Sequence, residues 1–431
     1  MKKLLLSLGL LAGLQLSASA QVTLGDLPYW RPYDQRGLNV FETSKKDTTA
    51  FDGIKVRIGG SFAQQFQGLE HSNTATAKYD ANEKNVNKLI EIGKSFNLAT
   101  ANMNMDVLLA DGVRLNLVLY LSSKHHPETW VKGGYMQIDK LAFLNSPMAD
   151  KLMENLTVRV GHMEVNYGDA HYRRSDNAQA LQNPFVGNYI MDAFATEIGA
   201  DVTFQKSGFL AVAGVTGGEI QGGLTKPGER APSYVGKIGY DNYMTDKLRL
   251  RLTSSVYTTN SSVRNTLYGG DRAGSRYNLV LENEQATTAA QFTSGRFNPG
   301  LTDNITAVVI NPFVKFGGLE FFGNFERAKG KAGNEKEDRT WDQIGTDLLY
   351  RFGPRESFYV GGRYNKVSGP MAGTGTEVNI QRTAFGAGWF VTKNILAKAE
   401  YVKQEYNNFP TNHIYNGGEF NGIMLEGAIS F

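Results

Sequence analysis

The residues most clearly able to bind a ligand are arginines and aspartates between positions 164 and 194, together with two arginines that precede them. Guanidinium groups bind carboxylates and phosphates through paired hydrogen bonds, so such a set could attract and select anions. The plainer alternative is that these charges solvate a wet surface and pair with one another. The predicted constriction set consists of Arg114, Arg159, Asp169, Arg173, Arg174 and Asp176.

Histidines offer a second kind of chemistry, metal binding or acid–base catalysis. His162 and His171 flank Glu164 and Asp169, but their spacing matches no metal-binding motif, and a solvated loop position is the simpler interpretation. Nothing in the sequence brings a nucleophile, a histidine and a carboxylate together, and no phosphate-binding GxxxxGK[ST] motif occurs. We therefore predict no catalytic residues, no metal, no cofactor and no enzymatic activity.

The charged positions lie on segments in which apolar and polar residues alternate. Leu248, Leu250 and Leu252, for example, alternate with Arg249 and Arg251. A shift by one residue would turn both arginines into the apolar face, which costs roughly 2–4 kcal/mol each at a bilayer midplane. The arginine face must therefore be the wet interior of a barrel. By the same parity, the predicted lumen wall carries Arg57, Arg249, Arg251 and Arg382.

The connections between these segments alternate in length. Seven short turns and eight longer polar stretches give fifteen connections, which join sixteen strands. The predicted fold class is all-β, a transmembrane antiparallel barrel of about sixteen strands with long extracellular loops and short periplasmic turns. Fourteen or eighteen strands are the alternatives to sixteen. The count is least certain in residues 260–300, where residues 277–282 could form one more hairpin arm. The short turns are predicted at 111–112, 146–154, 206–208, 242–246, 317–318, 353–355 and 392–394.

The last strand, residues 421–431, gives the strongest indication of a membrane barrel. Ile423, Leu425, Ile429 and Phe431 fall on one face, and the residues that alternate with them are Met424, Glu426, Ala428 and Ser430. A terminal strand in a soluble protein usually frays and would expose this apolar end to water. In an outer membrane the terminal Phe would join the interfacial aromatic girdle. A soluble sandwich or solenoid is the alternative that alternation alone allows, and the barrel is predicted to span residues 54–431.

The N-terminus has the features of a secretory signal peptide. Residues 1–20 contain Lys2 and Lys3, a largely apolar run of 13 residues and a small-residue cleavage site; the run is shorter than the about 20 residues that span a bilayer. Its removal lowers the formal net charge from +3 to +1, which argues against a nucleic-acid partner. The chain contains no cysteine. Residues 21–53 show no sustained alternation and are predicted to be a periplasmic lead-in that covers or plugs the barrel mouth.

These features together resemble the bacterial outer-membrane porins, in particular the general and phosphate-selective porin O/P type. The similarity extends over residues 54–431 and is one of architecture. It implies passive diffusion of small hydrophilic solutes, assembly as a homotrimer, and a third extracellular loop folded into the lumen. In this chain the third loop is residues 164–194, whose length suits a constriction. Its own pair of arginines departs from the acidic loop that is often described for general porins.

The sequence therefore predicts an outer-membrane porin of a Gram-negative bacterium for small hydrophilic solutes or ions, with a mild anion preference. Its partners would be the lipid bilayer, outer-membrane lipids and small polar solutes, with no nucleic acid. The alternative is a non-conducting barrel that acts as an adhesin, a receptor or a complex partner. The lead-in at residues 21–53 favours this alternative, because it is long enough to obstruct the lumen.

Overall fold

The computed structural model describes residues 21–23, 25–47, 49–121, 129–175, 179–217, 231–262, 264–269 and 275–431. It contains seventeen strands in one sheet, of which sixteen form a closed antiparallel barrel. The predicted sixteen-stranded barrel is therefore confirmed. The remaining strand, β1 (Gln21–Thr23), pairs in parallel with the first barrel strand and was not foreseen in the lead-in.

The barrel strands follow one another around the sheet in chain order. They are β2 (Lys55–Ser72), β3 (Ser95–Ala110), β4 (Val113–Leu121), β5 (Thr129–Ile138), β6 (Leu156–Glu164), β7 (Thr196–Lys206), β8 (Phe209–Thr216), β9 (Ser233–Tyr243), β10 (Leu248–Thr259), β11 (Asn304–Phe316), β12 (Leu319–Lys331), β13 (Arg339–Phe352), β14 (Phe358–Pro370), β15 (Glu377–Thr392), β16 (Ile395–Asn407) and β17 (Glu419–Ser430).

Strand β17 closes the barrel by pairing with β2 over its whole length, from Glu419 opposite Ser72 to Ser430 opposite Ser61. Closure joins the first and last barrel strands, which would otherwise be the two edges of the sheet. The predicted alternation is present: Ile423, Leu425 and Ile429 are exposed on the outer face, whereas the intervening Met424 and Ala428 are buried. Near the short turns, the outer aromatic rings form a stack whose neighbouring centroids are 5.8–6.1 Å apart, made by Tyr350, Phe352, Phe358 and Trp389.

Five of the seven predicted short turns connect strands directly, and the sixth, at 353–355, overlaps the short 3₁₀ helix Pro354–Glu356 between β13 and β14. At the turn after β3, Gly112 has φ +74, and a Cβ there would lie 2.5 Å from the backbone nitrogen of Lys140, so only glycine fits. The exception is the turn predicted at 146–154. The connection 139–155 instead contains a 3₁₀ helix, Ala142–Leu144, and the α-helix α1, Pro147–Met153. Ser146 caps α1 and Pro147 opens it, a helix-start pattern that the turn prediction overlooked.

Two of the long connections fill much of the interior. L3 (residues 165–195) joins β6 to β7, and L5 (residues 260–303) joins β10 to β11. Backbone hydrogen bonds link them: Phe194 N donates to Leu267 O and Phe297 N donates to Ile190 O, both at 2.8 Å. Residues 277–282 form no strand, so the additional hairpin arm is wrong. Among the described residues, no helix is long and apolar enough to cross a membrane.

Candidate pore constriction

L3 folds into the barrel, and wall side chains satisfy its backbone. Every described residue from 179 to 192 is buried. A buried loop needs partners for its peptide groups, and strands β13–β16 supply them. The wall acceptors are Glu400 for Val186 N (2.8 Å), Asn365 for Ile190 N (2.6 Å) and Gln343 for Met191 N (3.0 Å).

Two glycines in the wall make room for aromatic rings of L3. A Cβ on Gly386 would lie 3.1 Å from Cδ1 of Phe185, and one on Gly345 would lie 2.6 Å from Cε1 of Tyr189. Both rings are buried, and the Tyr189 hydroxyl also donates to Asp347 at 3.2 Å. Side chains at these inward positions would displace the rings, so the small residues position L3 against the wall.

The lead-in enters the same interior from the short-turn end. Trp30 Nε1 and the Tyr33 hydroxyl both donate to Asp106 of β3, at 3.2 and 2.6 Å. Further along, Phe41 packs edge-on against Phe313 of β11, with ring centroids 5.5 Å apart. Residues 30–41 therefore cross the interior from the β3 wall to the β11 wall.

A first ion cluster, made by Glu42, Asp169, Lys237 and Arg251, ties the lead-in and L3 to the wall. Asp169 lies 2.7 Å from Lys237 Nζ and 2.8 Å from Arg251 Nη2, and Glu42 accepts from the same two cations at 3.0 and 2.8 Å. Burial alone would raise the pKa of Glu42, but the charges of Arg251 and Lys237 outweigh it and lower the pKa to about 2. The carboxylate therefore stays ionised at neutral pH.

A second ion cluster, made by Asn39, Arg173, Glu320 and Arg351, repeats this arrangement on the next strands. Glu320 of β12 lies 2.8 Å from Arg173 Nη1 and accepts from Arg351 Nε at 2.9 Å. The Asn39 amide of the lead-in donates to the same carboxylate at 2.8 Å. Both clusters join three parts of the chain that are distant in sequence, so the lead-in and L3 are held in the barrel together.

A cavity of about 160 Å³ remains between the lead-in, L3 and strands β3–β7. Its barrel wall is polar, with Asn104, Asn116 and Gln137 pointing inward. Four cations and two carboxylates line it: Arg31, Arg114, Lys132, Arg159, Glu42 and Glu164. Burial lowers the pKa of Arg31 to about 10, so this guanidinium remains charged at neutral pH. The space is large enough for several water molecules or a hydrated ion.

Solved structures with this architecture exist, although no protein-family profile and no curated protein matches the sequence. The outer membrane channel DcaP of Acinetobacter baumannii aligns with TM-score 0.54 and 11% identity over 89% of this chain and 99% of its own. The trimer form of OmpT, an outer membrane protein of Vibrio cholerae, aligns with TM-score 0.52 and 11% identity over 88% of this chain and all of its own. An anion-selective porin from Comamonas acidovorans aligns with TM-score 0.50 and 12% identity over 88% of this chain and all of its own.

The chain has the porin fold. At 11–12% identity the similarity concerns the backbone arrangement and does not extend to particular side chains. The placement of the functional residues in this porin fold must therefore be taken from the chain itself.

The described members of the predicted constriction set lie in the interior, but not as free charges. Arg114 pairs with Asp106 at 2.6 Å and Arg174 with Asp192 at 2.8 Å. Arg159 pairs with Asp201, and Asp169 and Arg173 belong to the two ion clusters. Only Arg114 and Arg159 of this set line the cavity. Asp176 lies outside the described residues.

The predicted lumen-wall residues also point inward. Arg57 stacks over the Trp30 ring, with its Cζ 4.1 Å from the centroid. Arg249 pairs with Asp241 at 2.7 Å, and Arg251 is in the first ion cluster. Arg382 donates to Gln404 and to backbone carbonyls of L3 and L5. Parity thus located these side chains, whereas their role in holding loops was not foreseen.

His171 differs from the expected solvated loop position. It is buried, with Nδ1 2.9 Å from Glu164 and Nε2 3.1 Å from Asn166. Burial lowers the pKa of His171, so the ring is neutral at physiological pH. His162 is half-buried and lines the cavity. Among the described residues, no group of three or more potential ligands could hold a metal ion.

Sequence reasoning missed several interior charges. Arg31 and Glu42 lie in the lead-in, where no alternation marks an inward face. Lys237, Glu320 and Arg351 lie on strands whose parity could have located them, since each alternates with an exposed apolar neighbour such as Ile238, Leu319 or Phe352. Parity therefore applies to the three strand residues, whereas no local pattern marks the two residues of the lead-in.

Proposed function

We propose that the protein is an outer-membrane pore of a Gram-negative bacterium, through which small hydrophilic solutes or ions diffuse passively. The observation that carries this proposal is the polar cavity between L3 and strands β3–β7, within a barrel whose outer face is apolar. The about 160 Å³ of space favours ions and very small solutes. Solutes would follow the β3–β7 wall, because the opposite wall is packed against L3 and L5.

A mild anion preference is part of the proposal. Arg31 has no ion-pair partner among the described residues, and Arg114 and Arg159 line the cavity while their partners Asp106 and Asp201 do not. Four cations thus line the cavity against two carboxylates, Glu42 and Glu164. Cations facing a narrow polar passage lower the energy of anions there.

The test is single-channel conductance in a planar bilayer, with the reversal potential measured under a salt gradient. We expect steady conductance and a reversal potential whose sign indicates anion selectivity. The magnitude of this potential should be smaller in Arg31→Gln. Arg327→Gln is the matched control, because Arg327 is exposed on the outer face. Clear cation selectivity would overturn the anion preference, and steps in triplets would support a homotrimer, the state of the Vibrio cholerae protein named above.

The second candidate is a non-conducting barrel that acts as an adhesin, a receptor or a complex partner. The observation that favours it is the lead-in, which crosses the interior and is tied there by both ion clusters. A protein that is silent in bilayers, and that conducts only after removal of residues 25–47, would support this candidate and overturn the open pore. Neither candidate requires a catalytic residue, and we propose no enzymatic activity.

A further inference from the structure

A second and larger cavity, of about 640 Å³, lies at the short-turn end. We call it the mouth cavity. It is bounded by the lead-in at Gln35–Gly37 and by the turns that follow β13 and β15. Six cations and one carboxylate line it: Arg36, Arg249, Lys315, Arg351, Arg355, Lys393 and Glu356. Such an excess of one sign in a concave site concentrates ions of the other sign.

Three of these cations are already neutralised by close partners. Arg36 forms ion pairs with Asp26 and Asp34, Arg249 with Asp241, and Lys315 with Glu356 at 2.5 Å. The donors of these side chains are therefore largely occupied. They set the potential of the cavity but have little capacity for a ligand.

The other three cations have donors to spare. Arg351 is 3% exposed and uses Nε for Glu320, but its Nη1 has no hydrogen-bond partner among the described residues. Arg355 is exposed and has no ion-pair partner in the described part of the chain. Lys393 reaches Asp34 only at 3.6 Å and its side chain is 60% exposed. A buried guanidinium nitrogen without a partner is costly, and a ligand oxygen would remove that cost.

We propose that the mouth cavity binds a multivalent oxyanion, a small solute that carries phosphoryl or carboxylate groups, through Arg351, Arg355 and Lys393. The planar guanidinium fork matches the oxygens of both groups, and the lysine adds a mobile point charge. The cavity volume is within the range of small-molecule sites.

The same site would couple the anion to the lead-in. Gln35 N donates to Lys393 O at 2.8 Å, and the Gln35 amide donates to Arg355 O at 3.0 Å. A ligand held between the side chains of Arg355 and Lys393 would fix both turns and, through Gln35, the lead-in. Bound anion should therefore reduce proteolysis and hydrogen exchange in residues 30–41.

The test is isothermal titration calorimetry of the full-length barrel in detergent, at constant ionic strength, with pyrophosphate and with citrate as separate probes. We expect saturable binding of at least one probe, weakened about tenfold or more in Arg355→Ala/Lys393→Ala. Both side chains are exposed, so this variant should fold normally. Arg327→Ala, which removes an exposed cation on the outer face, should bind as the unaltered protein does.

Preference for pyrophosphate would assign phosphoryl groups, and preference for citrate would assign carboxylates. Unsaturable heats with both probes, or equal affinity in the double variant and the Arg327→Ala control, would overturn the proposal. Arg351→Lys provides a second check, because it keeps the charge beside Glu320 but loses the fork; unchanged affinity there would remove Arg351 from the site. Binding is measured without conduction, so failure of the pore proposal would leave this result intact.

Discussion

The two sides of the barrel interior differ more than the shared strand pattern suggests. On β11–β17 the inward positions include buried apolar residues such as Ile305, Trp341 and Ile380, which pack against L3 and L5. On β3–β7 they are mostly amides, hydroxyls and charges, and the cavity lies there. We call these the packed side and the polar side. The outer faces of both sides are apolar. The two sides therefore differ only in their inward residues, which are apolar where L3 and L5 pack against them and polar where the cavity lies.

The difference shows that a barrel wall can serve as a scaffold on one side and as a water-facing surface on the other. On the packed side, wall and loops share a hydrophobic core in addition to hydrogen bonds. On the polar side, hydrogen bonds such as that between Trp30 and Asp106 hold the lead-in, beside one small apolar cluster made by Leu27, Trp30 and Leu108. Removing a group should therefore cost more on the packed side, where no water can replace it.

The largest expected difference concerns buried ion pairs. Glu320→Gln on the packed side leaves Arg351 without its carboxylate and Arg173 with Asp347 alone, at 3.8 Å. Both guanidinium groups are at most 4% exposed, so we expect a loss of about 3–5 kcal/mol in the free energy of unfolding. Asp201→Asn on the polar side frees Arg159, whose side chain is 17% exposed and lines the cavity, where water can replace the carboxylate; it should cost less, about 1–3 kcal/mol. Denaturant unfolding followed by tryptophan fluorescence measures both, and equal losses would contradict the division into two sides.

The next test changes packing by one methyl group. Gly345→Ala places a Cβ against the Tyr189 ring of L3 and should cost about 1–3 kcal/mol. Gly427→Ala is its matched control on the outer face, where a Cβ meets nothing within 4 Å, and it should change stability by less than about 0.5 kcal/mol. A neutral Gly345→Ala would mean that L3 is not seated in the wall as described.

Two buried asparagines provide a smaller and closely matched comparison. Asn365 accepts from Ile190 N and donates to Ile344 O, so Asn365→Ala should cost about 1–3 kcal/mol. The Asn104 amide lines the cavity and makes no hydrogen bond to a described residue, so Asn104→Ala should stay within about 0.5 kcal/mol. If Asn104→Ala destabilised the protein as much as Asn365→Ala, the polar side would be structural rather than water-facing.

Local patterns were enough to predict the barrel itself. Alternation and short turns are properties of neighbouring residues, so strand number and the inward direction of Arg114, Arg249 and Arg251 followed from the sequence. The helix α1 was missed because its cap, Ser146, was interpreted as part of a turn. Each of these predictions, correct or wrong, rests on a local pattern of neighbouring residues.

The partners of the charged residues could not be predicted in this way. Asp169 and Arg251 are 82 positions apart, and Asn39 and Glu320 are 281 apart, so their pairing depends on the paths of L3 and the lead-in. One signal for a filled interior was nevertheless present. On β11, Ile305 and Val309 face inward while Val308 faces outward, and apolar residues on both faces indicate a strand that is covered on both.

The smallest expected effect lies at the rim of the packed side, where L5 meets the connection between β2 and β3. There Ile90 N donates to the carbonyl of Glu282 at 2.9 Å, and burial raises the pKa of the Glu282 carboxyl from 4.5 to about 7. A raised pKa in the folded state means that the stabilisation is complete below about pH 4.5 and is lost as the pH rises through about 7. The contact should therefore open more often at pH 8 than at pH 5.

Hydrogen exchange of the Ile90 amide, expressed as a protection factor to remove the intrinsic pH dependence, measures this opening. We expect protection to fall between pH 5 and pH 8, while global stability changes little because the contact lies outside the sheet. Glu282→Gln cannot ionise and should remove the pH dependence while keeping the backbone hydrogen bond. If protection of the Ile90 amide fell equally in this variant, a group other than Glu282 would cause the pH dependence of this contact.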